Sequence, residues 1–217
     1  MNFSIPGYPD WQAGSVYCIG RNYARHIEEM KSQKTKQPVV FLKPRSSLLF
    51  DKGTIQIPSI SKNVHHEVEL VLLIGKKLKK ADKKQALSAL KAIAVGLDMT
   101  ARDIQSDAKT KGLPWTLAKG FDTFAPIGNF TKYSDNIDLE NIDIKMSVNG
   151  EVRQSGNTSS MLFSSVELIS YLSNNFTLTP GDLIFTGTPE GVGPVKSGDV
   201  LEASIQNGLS TLKAYVQ

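Results

Sequence analysis

The sequence predicts a β-rich α+β fold, and three observations carry that prediction. Short apolar and β-branched runs recur along the 217 residues, from Val16-Tyr17-Cys18-Ile19-Gly20 to Val200-Leu201-Glu202-Ala203-Ser204-Ile205. Helix-like stretches are few, which argues against a doubly wound parallel sheet. Gly- and Pro-rich turns punctuate the runs, most densely in Gly187-Thr188-Pro189-Glu190-Gly191-Val192-Gly193-Pro194.

Taken in order, Val16 to Gly20 and Val39-Val40-Phe41-Leu42 are short strands, and the polar segment 21–37 between them holds a helix around Tyr23 to Lys31. Lys43-Pro44-Arg45-Ser46-Ser47 breaks the second strand, because proline withholds a backbone donor. Glu67-Val68-Glu69 leads into Leu70-Val71-Leu72-Leu73-Ile74, a strongly apolar strand bounded by Gly75. Lys83 to Ala94 is helix-like, and Ala92-Ile93-Ala94-Val95-Gly96-Leu97 ends in Asp98. Thr100 to Lys111 is a polar helix or an ordered loop, closed by Gly112-Leu113-Pro114-Trp115. Asp143 to Val148 alternates polar with apolar, and Asn149-Gly150 before Glu151-Val152-Arg153-Gln154 is a hairpin signal. Ser164 as N-cap, with Glu167 three residues on, opens an amphipathic helix through about Asn175. Leu183-Ile184-Phe185-Thr186 and Val200 to Ile205 return to strand, while Thr131 to Asp143 carries no legible motif.

A hydrophobic content of 40% over this length supports one substantial core, and no linker-like composition divides the chain. The single Cys18 excludes an internal disulfide and a cysteine zinc site. No apolar stretch is long enough to span a bilayer, and Met1-Asn2-Phe3-Ser4-Ile5-Pro6 lacks the charged start and apolar region of a signal peptide; a cytoplasmic protein with no membrane partner is expected. The net charge of +4 and a pI near 9.0 raise the question of nucleic acid. The densest basic run, Lys76-Lys77-Leu78-Lys79-Lys80-Ala81-Asp82-Lys83-Lys84, has no interleaved aromatics and matches no nucleic-acid module, so it is read as a solvated edge. The positive field still favours an anionic small molecule.

Glu67, Glu69 and Asp98 are candidate ligands for one hard divalent cation, Mg²⁺ or Mn²⁺. Residues two apart on a strand share a face, and adjacent carboxylates entering an apolar strand repel and lose hydration unless a cation compensates them. All-oxygen ligation suits those ions, whereas zinc asks for Cys or more His. The alternative places Glu67 and Glu69 on the wet face of a half-exposed strand, with Asp98 starting a turn. His65 shares the glutamates' face and is either an outer partner of the site or a hydrogen-bonded structural group; His66 points the other way, with Val68 and Leu70.

His26 and Glu29, three apart on the first helix, can touch, and a carboxylate that orients an imidazole makes a better general base. In isolation the segment is an ordinary polar helix face with Arg25, Glu28, Glu29 and Lys31 as ion-pair partners; the carboxylate cluster is what favours the catalytic alternative. Lys119, in Thr116-Leu117-Ala118-Lys119-Gly120, and Lys43, after Phe41-Leu42, either snorkel to water or serve a bound anion, Lys119 by supplying charge to it. Gly187-Thr188-Pro189-Glu190-Gly191 lacks the ending of a P-loop; it is a tight turn or a close backbone approach to a ligand, with the Thr188 hydroxyl donating.

Together these pieces resemble the fumarylacetoacetate hydrolase family, and within it the small acylpyruvate hydrolase and oxaloacetate decarboxylase group. The matching blocks are Gly20-Arg21-Asn22-Tyr23-Ala24 with His26 and Glu29-Met30, Phe41-Leu42-Lys43-Pro44, His65-His66-Glu67-Val68-Glu69-Leu70, Leu97-Asp98-Met99-Thr100-Ala101-Arg102-Asp103, Gly112-Leu113-Pro114-Trp115 with Ala118-Lys119, Val148-Asn149-Gly150-Glu151, and Thr186-Gly187-Thr188-Pro189 with Gly191-Val192-Gly193-Pro194. The resemblance implies a mixed β-roll of the family's C-terminal-domain type, a homodimer, and Mg²⁺ or Mn²⁺ held by Glu67, Glu69 and Asp98, with Lys119 and Gln105 beside it. It implies a single catalytic domain over 1–217, in which about 1–50 supplies N-terminal strands and a mobile helix packed on the β-roll of 51–217. His26 and Glu29 then lie on a segment that closes over substrate, and Arg21, Lys43, Gln105 and Thr188 bind it.

The function expected from this pattern is metal-dependent cleavage of a carbon–carbon bond in acylpyruvates (2,4-dioxo acids), giving pyruvate and a carboxylic acid. His26, oriented by Glu29, activates water, and the departing enolate is stabilised by the metal and Lys119. Oxaloacetate decarboxylation or keto-enol tautomerisation uses the same site and is the alternative; a small 2-oxo or 2,4-dioxo acid is the partner in either case. A non-catalytic small-acid or metal-binding protein needs the carboxylates and Lys119 but has no use for an oriented base.

Overall fold

The computed structural model describes residues 3–31 and 33–217. Met1, Asn2 and Ser32, on which parts of the N-terminal and 21–37 assignments fall, lie outside the described residues.

Two antiparallel strands, Val68–Ile74 and Leu90–Leu97, form the spine of the molecule. Alternate residues feed two cores: Leu70, Leu72 and Ile74 point into one, Val71 and Leu73 into the other, so the strand is apolar on both faces because both are covered. The sheet runs outward from this pair. On one side lie Leu183–Phe185, Val16–Gly20 and the edge strand Val39–Lys43; on the other lie Ala125–Ile127 and Leu48–Phe50, with Thr131–Lys132 also pairing Leu90–Leu97. It is a mixed sheet, since Leu183–Phe185 is parallel to Val16–Gly20 and antiparallel to Val68–Ile74.

A second sheet, in the order Glu151–Asn157, Asp143–Val148, Val200–Ile205, Ser210–Val216 and Thr54–Ile55, contributes Ile144, Met146, Leu201, Ile205 and Leu212 to the larger core. Helices Lys83–Ala89 and Ser165–Asn175 pack together beside it. The architecture is the expected β-rich α+β fold.

The helical assignment for Lys83 to Ala94 is corrected: the helix stops at Ala89, and Leu90 onward is strand. The helix-favouring alanines at 92 and 94 are overridden by pairing against Leu73 and Val71 in a fully buried sheet. The remaining assignments place well. Helix Ala24–Glu29 lies within Tyr23 to Lys31, and helix Arg102–Lys111 follows the two-residue strand Thr100–Ala101. The Ser164–Glu167 capping box is present in full. Asn149 and Gly150 adopt φ of +51° and +82°, both in the left-handed region that a tight hairpin turn requires. Among the described residues no helix is long and apolar enough to cross a membrane.

Candidate active site

The register of the central strands builds the carboxylate cluster. Val68 lies opposite Leu97 and Glu69 opposite Gly96. One step further, the Asp98 N–H donates to the Glu67 carbonyl at 2.8 Å, which brings Asp98 beside Glu67. Gly96 is required here: a Cβ on it would stand 2.6 Å from Val71 Cγ2. Glu67, Glu69 and Asp98 each present an oxygen, all within 4.8 Å of one another. Their exposures of 5%, 1% and 1% rule out the wet-face alternative.

Three cations surround the cluster. Lys119, closing the short helix Thr116–Lys119, stands 2.6 Å from Asp98 Oδ2 and 2.9 Å from Glu67 Oε2. Arg102 pairs closely with Glu67 Oε1 through Nη2 and donates to Gln105 Oε1 at 2.6 Å through Nη1. Lys43, at the end of its strand, stands 2.7 Å from Asp98 Oδ1 and donates to the Met99 carbonyl at 3.0 Å and to the Lys119 carbonyl. Neither lysine snorkels: Lys43 is 3% and Lys119 2% exposed. Their apolar stems are sheathed by packing while the ammonium groups meet buried acids, an alternative to water that local sequence does not display.

These charges do not satisfy the three acids equally. Burial pushes the Glu67 carboxyl up, but Lys119 and then Arg102 outweigh it and hold the group well below the usual carboxylate range. Burial opposes the Lys119 ammonium, and Asp98 and Glu67 more than offset it. Glu69 is left out. Burial and then the charges of Asp98 and Glu67 drive it well above the usual range, against which stand only the Lys119 charge and the Gly187 N–H at 2.7 Å. Asp98 Oδ1 also accepts no hydrogen bond among the described residues, its counter-charge being Lys43. A crowded trio of hard oxygens with one member undercompensated fits a bound divalent cation such as Mg²⁺ or Mn²⁺.

His26 is presented to this cluster from the helix Ala24–Glu29. Asn22, fully buried, anchors the segment before it: its side chain donates to the Thr186 carbonyl at 2.7 Å and the Phe163 carbonyl at 3.0 Å, and accepts from Phe163 N at 2.9 Å. Glu29 Oε2 lies 3.0 Å from His26 Nδ1, and Glu29 Oε1 accepts from Gly191 N at 3.0 Å, which ties the helix to the glycine-rich loop. His26 is buried, so the pair is no ordinary polar helix face. The Thr188 hydroxyl, in that loop, accepts from Gln154 Nε2 at 2.9 Å, which leaves its own proton to donate elsewhere.

Arg21, His26, Glu67, Glu69, Asp98, Gln105, Lys119 and Thr188 line one cavity. Glu29 and Lys43 do not line it; they stand behind His26 and Asp98 respectively. His65 takes Asn63 Oδ1 at 2.9 Å rather than a carboxylate, and burial, with the Arg102 charge second, lowers its imidazole to about 4. A larger groove along Phe41, Leu42, Leu113 and Phe176 contains one acid, Asp182, which is committed to the N–H groups of Ser15 and Thr179. Sequence reasoning missed Arg102, Lys109 and Gln154 as site residues. The first two were findable, because Arg102, Gln105 and Lys109 follow i, i+3, i+7 spacing on one helix face. Gln154 was not: its partners His66 and Val68 are 88 and 86 residues away.

A β-rich α+β fold with a buried carboxylate–cation cluster at the floor of a small polar cavity, faced by a His–Glu pair, defines the class. The chain belongs to the fumarylacetoacetate hydrolase family, whose C-terminal domain it matches over residues 15–217. It is 48% identical over 206 residues to the mitochondrial oxaloacetate tautomerase of Arabidopsis thaliana, covering 95% of this chain and 93% of that one. It is likewise 48% identical over 203 residues to the mitochondrial oxaloacetate decarboxylase of Dictyostelium discoideum, covering 93% of each. The fumarylpyruvate hydrolase of Pseudomonas aeruginosa, solved in complex with Mn²⁺ and pyruvate, superposes with a TM-score of 0.90 at 39% identity, covering 95% of this chain and 90% of that one.

Proposed function

We propose that this chain is a Mg²⁺- or Mn²⁺-dependent enzyme of keto-enol chemistry on short 2-oxo acids, with oxaloacetate as substrate for tautomerisation and decarboxylation. The observation that carries the proposal is the placement of an oriented imidazole and a carboxylate–cation cluster on one cavity. The oxaloacetate relatives at 48% identity put this reading ahead of acylpyruvate hydrolysis.

Glu67, Glu69 and Asp98 would hold the metal, which supplies a Lewis acid to the 2-oxo and carboxylate oxygens when bound. Lys119 and Arg102, held beside Glu67 and Asp98 at the same cavity, supply positive charge that favours the negative charge growing on the substrate as the enolate forms. His26, with Nδ1 held by Glu29, keeps Nε2 for the cavity, where it takes a proton from C3 of the keto form and delivers it to the 2-oxo oxygen to give the enol. Thr188 donates its hydroxyl proton to the substrate. In decarboxylation the electron pair of the C3–C4 bond enters the same enolate, carbon dioxide leaves, and no base is needed.

Acylpyruvate hydrolysis is the second reading, supported by the likeness to a fumarylpyruvate hydrolase. There His26 takes a proton from water, the hydroxide adds to the distal acyl carbonyl, and the carbon–carbon bond breaks to a carboxylic acid and the pyruvate enolate. The test is a set of three assays with and without Mg²⁺: oxaloacetate enolisation, oxaloacetate decarboxylation, and acetylpyruvate cleavage. His26→Ala is expected to cut the base-dependent reactions by ~10² or more and decarboxylation much less. Retention of every activity by that variant removes His26 from the chemistry, and a dominant acetylpyruvate activity in the wild type would put hydrolysis first.

A further inference from the structure

Lys43, Arg102 and Lys119 pair with Glu67 and Asp98, but two further cations at the cavity have no ion-pair partner among the described residues. Lys109 is half-buried, two helical turns from Arg102 on the same face. Its ammonium stands 5.4 Å from the Trp115 ring centroid, with no carboxylate at ion-pair distance among the described residues. Arg21 is half-buried just after the strand Val16–Gly20, and its Nη1 makes a marginal 3.5 Å approach to the Gln33 carbonyl, with no acid at ion-pair distance among the described residues.

The backbone at Arg21 adds a second, independent observation. Its φ is +60°, in the left-handed region that a long side chain rarely adopts, and buried Asn22 next to it holds that conformation through Phe163 and Thr186. That backbone places a guanidinium with no acid partner among the described residues at a cavity that Lys109 also lines. Two half-buried like charges without carboxylate partners are costly, and an anion bound in the cavity they both line relieves them.

We propose that Lys109 and Arg21 form a second anion subsite, which receives the distal carboxylate of a 2-oxo dicarboxylate whose oxo-acid end lies at Glu67, Glu69 and Asp98. This rests on the function proposed above and narrows its substrate class: dicarboxylates such as oxaloacetate are selected over acylpyruvates that end in an alkyl group. The rings of Trp115 and Phe41, 5.7 Å apart and edge to face, wall the same cavity, and the Trp115 ring beside the Lys109 ammonium partly shields it from water, which strengthens its attraction for a carboxylate.

The experiment uses L-malate and L-lactate, unreactive 2-hydroxy acids that differ by one distal carboxylate, titrated calorimetrically into the Mn²⁺-loaded protein. The wild type is expected to bind malate about tenfold or more tightly than lactate, the scale of one charge-assisted contact. Lys109→Met should bring that ratio below about threefold, Arg21→Met should lower it as well, and Lys109→Arg should keep it. A wild type without preference, or a Lys109→Met protein with the wild-type ratio, overturns the subsite. The binding ratio is read without turnover, so a wild type that prefers malate yet leaves oxaloacetate unchanged rejects the proposed reaction and retains the subsite.

Discussion

Lys119 is the residue on which the carboxylate cluster depends, because its ammonium is shared by Glu67 and Asp98 in a buried setting. Lys119→Met leaves two carboxylates facing each other without it, and breaking such a buried pair typically costs ~3–5 kcal/mol. The metal-free variant should therefore melt well below the wild type, and Mn²⁺ should recover part of the loss by taking over the counter-charge; a variant that melts normally without metal would show Lys119 to be dispensable there. Glu69→Gln behaves in the opposite sense. Glu69 is the acid that the protein's own cations leave undercompensated, so its neutralisation should maintain or raise metal-free stability while abolishing most of the Mn²⁺-induced rise in melting temperature. An undiminished Mn²⁺ shift in that variant would take Glu69 out of the ligand set.

Lys109 gives the residue scale a pH signature. Burial first, then the Arg102 charge, lower its ammonium to about 8; Glu67 opposes the shift, and Arg21 and Lys119 add to it. A base carries its charge below its pKa, so malate preference should be full near neutral pH and fall as the pH rises through about 8. A bound carboxylate favours the charged form and moves that fall upward. Malate-to-lactate ratios measured from pH 6.5 to 9.5 check this, and a flat profile would show that the Lys109 charge contributes nothing to the contact.

At the scale of elements, the strand Glu151–Asn157 reaches into the site through one side chain. Gln154 Oε1 accepts from Val68 N at 3.0 Å and lies 2.9 Å from His66 Nδ1, while its Nε2 donates to the Thr188 hydroxyl at 2.9 Å and the Pro189 carbonyl at 3.0 Å. One amide thus fastens the residue between Glu67 and Glu69 to the glycine-rich loop. Gln154→Leu is expected to cost ~1–3 kcal/mol in urea unfolding, the range for stranding a buried polar group, and to weaken Mn²⁺ binding although Gln154 is no ligand. Gly187 works on the same loop, with φ of +101° and its N–H on Glu69, and a Cβ there would lie 2.7 Å from Asn22 Cβ. The hairpin turn at Asn149-Gly150 and the Ser164 cap were legible because their signals are local; Gln154 carries none, since its role exists only once distant strands have paired.

For the whole molecule, the pairing that assembles the site is non-local. The strand Leu183–Phe185 inserts between Val16–Gly20 and Val68–Ile74, and Ser210–Val216 pairs in parallel with Thr54–Ile55. Refolding from urea should accordingly be slow, milliseconds to seconds or longer, as for other folds dominated by distant strand pairing. The last strand is also a structural member of the core: Ser210 Oγ accepts from Val95 N at 2.9 Å, and Leu212 and Ala214 are buried. Deletion of 210–217 should therefore abolish cooperative unfolding and the Mn²⁺-dependent melting shift together; a truncated chain that keeps both would show that the spine folds without it.

By itself, the sequence determined the strands with strong apolar or alternating patterns, the capped helix from Ser164, the hairpin turn, and the identities of Glu67, Glu69, Asp98, His26 and Glu29 as chemically conspicuous residues. These follow from neighbours two to four positions apart, where side-chain periodicity acts. It misjudged Lys83 to Ala94, because alanine's local helical preference yields to burial in a two-faced sheet. Tertiary structure alone decided that Lys43 and Lys119 are buried partners of acids rather than solvated tails, that Glu69 is the undercompensated carboxylate, and that Lys109 and Arg21 line the carboxylates' cavity without an ion-pair partner among the described residues. Each of these is a balance of charges brought together by strand register across tens to more than a hundred residues, and such a balance has no value until the chain is folded.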